Sequence, residues 1–329
     1  MAWQLGDLTR KRTTDTVGLT RFRLQRGSAS GVRAGVAIVI AAVMALVATG
    51  VAAQQAARQA PPPTRSIVKV TGDLYMATEN THNTVFLVTP QGIVLADPIN
   101  AEFSTWLKGE LATRFPNRLV RFVLHSHHDF DHASGAEVWN DTAEIVAHDN
   151  FAAEVKKAAA VGRPGQYADV RMPESTFHDR RTITLGGANV EMIDPGPNHA
   201  LDTAVLYFPR ERAVFFVDFI TMKKRFSAVI AGPAPFPEWV KAMRAVEAIN
   251  FDIAIPGHGD IGTKADVVTY REYFQDFIKV VSDGIAANQT VEQIQASPAL
   301  DKYKDWQNFP QAKDKNIAEA YALLRAPRP

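Results

Sequence analysis

The chain has 329 residues, is 46% hydrophobic, balances 36 Lys/Arg against 35 Asp/Glu, and contains no cysteine. Such a length suits one large domain or two ordinary ones, with apolar residues enough for a substantial core. The missing cysteines exclude disulfides, iron–sulfur clusters, thiolate zinc sites and cysteine nucleophiles, so any metal must be held by nitrogen and oxygen.

The even charge balance hides an asymmetry. Residues 1–33 hold seven Lys/Arg and two Asp, and the rest of the chain carries 29 basic against 33 acidic residues, which gives no reason to expect nucleic acid as a partner. An uncharged run follows the basic region, from Ala34 to Ala53, and ends in small residues at Val51-Ala52-Ala53. A basic flank, an apolar stretch and a small-residue end describe a cleavable signal peptide. The run also approaches the roughly 18–20 residues that span a bilayer, so a retained membrane anchor is the alternative. Both readings expect an exported protein, either periplasmic or secreted, or anchored through residues 34–53 with its domain outside the cytoplasm. Residues 54–65 are polar and then Pro-rich and read as a linker, leaving 66–329 as the folded domain.

Short β-type runs open that domain: SIVKV, LYMAT, TVFLVT and IVLAD, the last two joined by a probable-hairpin turn at Pro90–Gly92. Phe103, Trp106, Leu107, Leu111 and Phe115 then recur at helical spacing, and LVRFVLH is a buried strand ending at His125. A short helix is expected over ASGAEVWN, a strand over AEIVA, a helix over NFAAEVKKAAA, and a long loop from Gly162 to about Thr176. A second β-rich half follows with RTITL, NVEMID, TAVLYF and AVFFVD, then a helix over PEWVKAMRAVEAIN, a strand and loop in DIAIPGHGD, and a C-terminal helical segment from about 263. Two β-then-α halves predict an α/β protein with two sheets packed face to face and helices outside. Val267, Tyr270, Tyr273, Phe274, Phe277 and Val280 form a helical stripe expected to face the core.

Four of the nine histidines and two aspartates fall within eight consecutive residues, His125 to His132, in HSHHDFDH. Further candidates stand at predicted strand ends: His199 after NVEMID, Asp218 closing AVFFVD, and His258 in AIPGHGD. Any one of them has an ordinary reading as a hydrogen-bonding residue or turn former. Taken in this order they describe a metal site, because a divalent ion needs ligands converging from several elements.

The HSHHDFDH run, followed by the distal His199, Asp218 and His258, resembles the metallo-β-lactamase fold superfamily over roughly residues 67–261. The resemblance implies an αββα sandwich with two divalent ions at one edge, zinc foremost, with iron or manganese as alternatives. It implies a first site of His127, Asp129 and His199, a second of Asp131, His132 and His258, and Asp218 as the bridge. Asp131 would also serve as the catalytic proton shuttle. A bridging hydroxide would then attack an ester, lactone, thioester or lactam of a small-molecule substrate. A second register takes His125, His127 and Asp129 as the first three ligands, but it puts Phe130 where the last histidine belongs, and phenylalanine binds no metal. In the preferred register His125 and His128 lie outside the ligand set, with His125 as a neighbour of it.

This sequence departs from the family pattern at Asp129, where a second histidine is usual. A carboxylate there hardens the site and admits two rivals: a di-iron redox enzyme, and a binding protein impaired in metal uptake. Lys223, Lys224 and Arg225 are candidates for meeting an anionic substrate group or form an ordinary solvated cluster. His82, His148 and His178 read as structural or surface residues.

Overall fold

The computed structural model describes residues 62–222 and 232–326, the side chain of Pro310 apart. Packing divides the chain into two units, Met1–Pro62 and Pro63–Pro329, and the account below concerns the second. The apolar run 34–53 and the basic triplet Lys223–Arg225 lie outside the described residues, among which no helix is long and apolar enough to cross a membrane.

The first sheet has seven strands in chain order: β1 (Arg65–Thr71), β2 (Leu74–Glu79), β3 (His82–Thr89), β4 (Gly92–Leu95), β5 (Val120–Leu124), β6 (Glu144–His148) and β7 (Ser175–Phe177). The first four pair antiparallel and β4 to β7 pair parallel. The switch follows from the connections. Tight turns permit antiparallel neighbours, whereas a parallel step needs a crossover, supplied after β4 by α1 (Ala101–Arg114). The second sheet has six strands: β8 (Arg180–Leu185), β9 (Ala188–Ile193), β10 (Val205–Phe208), β11 (Ala213–Phe216), β12 (Ile253–Pro256) and the short β13 (Gly262–Thr263). Only β11 and β12 are parallel in it, joined through α4 (Phe236–Ala248).

Alternation along the strands assigns the layers. In β11, Phe215 packs between the sheets with Leu87, Leu124, Val146, Leu206 and Ile255, while its neighbours Val214 and Phe216 face the outer helices. A strand buried on both faces must be apolar throughout, which is why AVFF shows no polar alternation. Phe103, Leu107 and Leu111 of α1 cover the outside of the first sheet. Trp239 and Met243 of α4, and Phe274 and Phe277 of α5 (Lys264–Ala286), cover the second. The layers are therefore helix, sheet, sheet, helix, as the sequence predicts.

Local chemistry fixes several ends. Asn100 caps α1 by accepting from the Phe103 N–H at 2.8 Å, and Thr263 with Asp266 forms a reciprocal capping box at the start of α5. The predicted stripe on α5 is buried as expected except at its far end, where Val281 replaces the half-buried Val280. The segment after α5 holds the short helix α6 (Val291–Gln295), a 3-10 turn over Pro298–Tyr303, and α7 (Phe309–Arg325). Tyr303 and Trp306 pack against Tyr273, with ring centroids 5.2 and 5.1 Å away.

Two local expectations differ. The end of the long loop, Ser175-Thr176, joins Phe177 to form β7, too short to show periodicity. The Asp131-His132 pair stands on one helical turn, α2 (Phe130–Ala133), the expected helix after it reduces to a 3-10 turn over Ala136–Trp139, and the helix expected after β6 forms as α3 (Phe151–Val161).

Candidate metal centre

Strand ends on one edge of the sandwich deliver the polar side chains. β5 ends at Leu124, and the chain passes through His125–Asp129 before α2 presents Asp131 and His132. His199 lies on the loop after β9, Asp218 just beyond β11, and His258 just beyond β12. Asp218 adopts a left-handed backbone with φ of 50°, a conformation that costs energy in a residue with a side chain and recurs at functional sites. Gly257 makes room for it: a Cβ there would stand 2.5 Å from Val217 and 2.9 Å from Asp218 Oδ1.

The two carboxylate oxygens of Asp218 face two different sets of imidazoles. Oδ2 lies 3.6 Å from His127 Nε2 and 4.0 Å from His199 Nε2, and Asp129 Oδ2 adjoins the same nitrogens at 3.4 and 3.0 Å. Oδ1 lies 3.5 Å from His132 Nε2 and 3.2 Å from His258 Nε2. His127, Asp129, His199 and Asp218 thus form one potential ligand group, and His132, Asp218 and His258 another. Asp131 stands apart from the second group. Its Oδ2 is 3.2 Å from His82 Nε2, and it converges instead with His82 and His258.

These residues fit divalent ions. The Nε2 atoms of His132 and His258 point at each other across 3.1 Å, and His127 Nε2 and Asp218 Oδ1 are buried without a hydrogen-bond partner. Among the described residues no Lys or Arg pairs with Asp129, Asp131 or Asp218, so their partners are imidazoles alone. In the metal-free protein this leaves protons where cations would sit. Burial opposes charge on His127 and His132, yet the facing Asp129 and Asp218 raise His127 well above its ordinary value, and Asp218 with Asp97 raises His132 to about 10. Burial likewise opposes charge on Asp218 and Asp129, but the surrounding histidines hold both carboxyls well below the usual range.

A buried layer orients the imidazoles. Asp97, fully buried at the end of the predicted IVLAD run, accepts from the Ser126 N–H at 2.8 Å and from the Ser126 hydroxyl at 2.6 Å. That hydroxyl is 3.0 Å from His127 Nδ1, and Asp97 Oδ2 is 3.4 Å from His132 Nδ1. The partners at Nδ1 leave both Nε2 atoms to face the centre. Asn83 donates to the Pro256 carbonyl at 3.0 Å and the Gly259 carbonyl at 2.7 Å, which pins the His258 loop to the start of β3 and brings His82 alongside. His82 is therefore part of this centre, not a remote structural residue: its ring centroid is 4.4 Å from that of His258. Asp97, Ser126, Asn83 and His82 escape sequence reasoning because none belongs to a recognisable spacing.

His125 points elsewhere. It is fully buried and stacked on Phe151 at 4.7 Å, its nitrogens have no well-formed hydrogen bond beyond a contact with the Arg171 backbone, and burial pushes it down to about 4. His148 is buried beside Asp194, and His178 is exposed.

A family model described as the metallo-beta-lactamase superfamily matches residues 78–258, more than half of the chain. The chain belongs to the metallo-beta-lactamase superfamily. Within that superfamily it is 23% identical over 198 residues to the 2,4-dinitroanisole O-demethylase subunit alpha of Nocardioides sp. (strain JS1661), covering 60% of this chain and 58% of the relative. It is 25% identical over 200 residues to a type 2 metallo-beta-lactamase of Elizabethkingia meningoseptica, covering 59% of this chain and 75% of the relative. Its fold superposes on a stereoselective inverting sec-alkylsulfatase from Pseudomonas sp. with a TM-score of 0.64 at 16% identity, over 80% of this chain and 52% of the other. The metallo-beta-lactamase from Pontibacter korlensis gives 0.56 at 20% identity, over 65% of this chain and all of the other. The chain thus spans little more than half of the demethylase subunit and of the alkylsulfatase. Its His/Asp groups are suited to divalent metal.

Proposed function

We infer that the protein is a dinuclear metal hydrolase, with zinc the foremost candidate, that cleaves an ester, lactone, thioester or lactam in a small molecule. The observation that carries this reading is the division of Asp218: one oxygen faces His127 and His199, the other His132 and His258. A carboxylate so placed suits a bridge between two ions. Bound there, divalent ions supply Lewis acidity and activate water near neutral pH.

The remaining roles fall to the chain's own side chains. His127, Asp129 and His199 would hold one ion and His132 and His258 the other, each imidazole through the Nε2 that faces Asp218. Burial opposes charge on Asp131, but His82 and His132 lower its carboxyl, so it would be free to take a proton from the attacking water. Beside His258 opens a cavity of about 460 Å³ lined by Met76, Thr78, Thr81, Asn83, Asp260 and Ile261, of a size for a small molecule and of mixed apolar and polar character. Export, through the apolar run as a cleaved signal or retained anchor, remains part of the reading. Its support is the sequence pattern alone.

The test is hydrolysis of a panel of aryl esters, lactones, thioesters and β-lactams by the full chain, before and after chelation, with elemental analysis of the same samples. Zinc with chelator-sensitive turnover supports the reading. Iron with oxygen consumption would replace it with the redox alternative, and a folded protein that takes up no metal would leave a binding protein.

A further inference from the structure

His128 has no place among the ligands, yet it is only 12% exposed and touches two carboxylates. Its Nδ1 stands 2.8 Å from Asp202 Oδ1, and because a carboxylate only accepts, Nδ1–H is the donor. Asp202 is inaccessible, lies on the loop three residues beyond His199, and has no other hydrogen-bond partner for its Oδ2. So buried a carboxylate is costly unless something requires it. On the other edge of the ring, His128 Nε2 lies 3.4 Å from Asp129 Oδ1. Asp129 Oδ2, the second oxygen, is the atom that faces His127 and His199.

We propose that His128, locked by Asp202, is a positioning residue that fixes the Asp129 carboxylate so that Oδ2 alone is presented to the metal. The proposal rests on the dinuclear reading above and explains how aspartate serves where an imidazole is usual. An imidazole offers one nitrogen in a fixed direction. A carboxylate is shorter, has two equivalent oxygens and turns about its Cβ–Cγ bond, so alone it would present either oxygen or both. The His128 ring closes off Oδ1, and the bond to Asp202 keeps that ring from turning away. The two ends of the device come from different parts of the sandwich, HSHHDFDH after β5 and PNHALD after β9, so the clamp also ties the Asp129 and His199 loops together.

The measurement is titration of the metal-depleted full chain with cobalt(II), reading affinity and visible absorption bands, for the parent and for His128→Ala, Asp202→Ala and Asp202→Asn. The asparagine variant keeps an oxygen that accepts from His128 Nδ1 and serves as the conservative rescue. The expected result is about 10–100-fold weaker binding of one of two cobalt ions in both alanine variants, with altered bands, and an asparagine variant close to the parent. Far-ultraviolet circular dichroism of each variant distinguishes this from unfolding. Parent-like affinity and spectrum in His128→Ala would overturn the clamp while leaving the dinuclear reading intact. A parent that binds no cobalt would overturn both.

Discussion

Around Asp218, the side chains of His127, His132 and His199 are 2%, 0% and 15% exposed, whereas those of Asp131 and His82, which converge with His258, are 35% and 29% exposed. The sheltered half is fixed from behind: Ser126 and Asp97 back His127, and Asp202 and His128 bear on Asp129. In the open half His258 lines the cavity, and the Asp131 carboxylate is held by one histidine at 3.2 Å. Rigid, buried donors suit retention of a cation, whereas a half-buried carboxylate at the open edge suits traffic in protons.

The largest effect that separates the halves should come from removing what joins them. Asp218→Ala is expected to lower metal content by more than one ion per chain and to abolish hydrolysis, measured by elemental analysis and turnover on the same sample. Next comes Asp97→Asn, which weakens the bonds to Ser126 and the 3.4 Å contact with His132 Nδ1 together. It should weaken metal binding by about 10–100-fold with the fold retained, as a chelator competition would show. A smaller effect is expected in the open half. Loss of one bond to a charged group costs about 1.5 kcal/mol, so His82→Asn should slow kcat roughly tenfold while metal content stays at the parent level. Loss of metal in that variant would instead make His82 a ligand and erase the contrast.

A further effect is one of pH on the metal-free protein. His132 is raised to about 10, so the stability it contributes is complete below its ordinary 6.5 and is lost as pH climbs from there toward 10. His125 is lowered to about 4: the unfolded chain takes up its proton below 6.5 while the folded one does not, so stability falls between 6.5 and 4. Thermal melts should therefore peak near pH 6.5, and His125→Asn should flatten the acid limb only.

Much of this was legible in the sequence because the relevant residues punctuate apolar strands. His199, Asp218 and His258 stand just past β9, β11 and β12, and an abrupt polar residue after AVFF or AIP is easy to see. Asp97 ends an equally visible run but lacks a partner at a fixed spacing, and its purpose emerges only when parallel pairing lays β4 beside β5. His82 begins a strand, far along the chain from the residues it joins, and the bridge to His258 is invisible to periodicity. The helical turn after Asp129 is equally invisible to spacing: a four-residue helix carries Asp131 and His132 and turns Asp131 toward His82. The four crowded histidines divide their work: His127 and His132 face the centre, His128 touches Asp129, and His125 stacks in the core.

Metal stoichiometry of the parent beside Asp218→Ala tests the central claim most directly. About two ions per chain in the parent, and less than one in the variant, is the result expected of a shared carboxylate. A parent with two ions whose variant still holds both would show that Asp218 joins nothing, and the dinuclear account would fall.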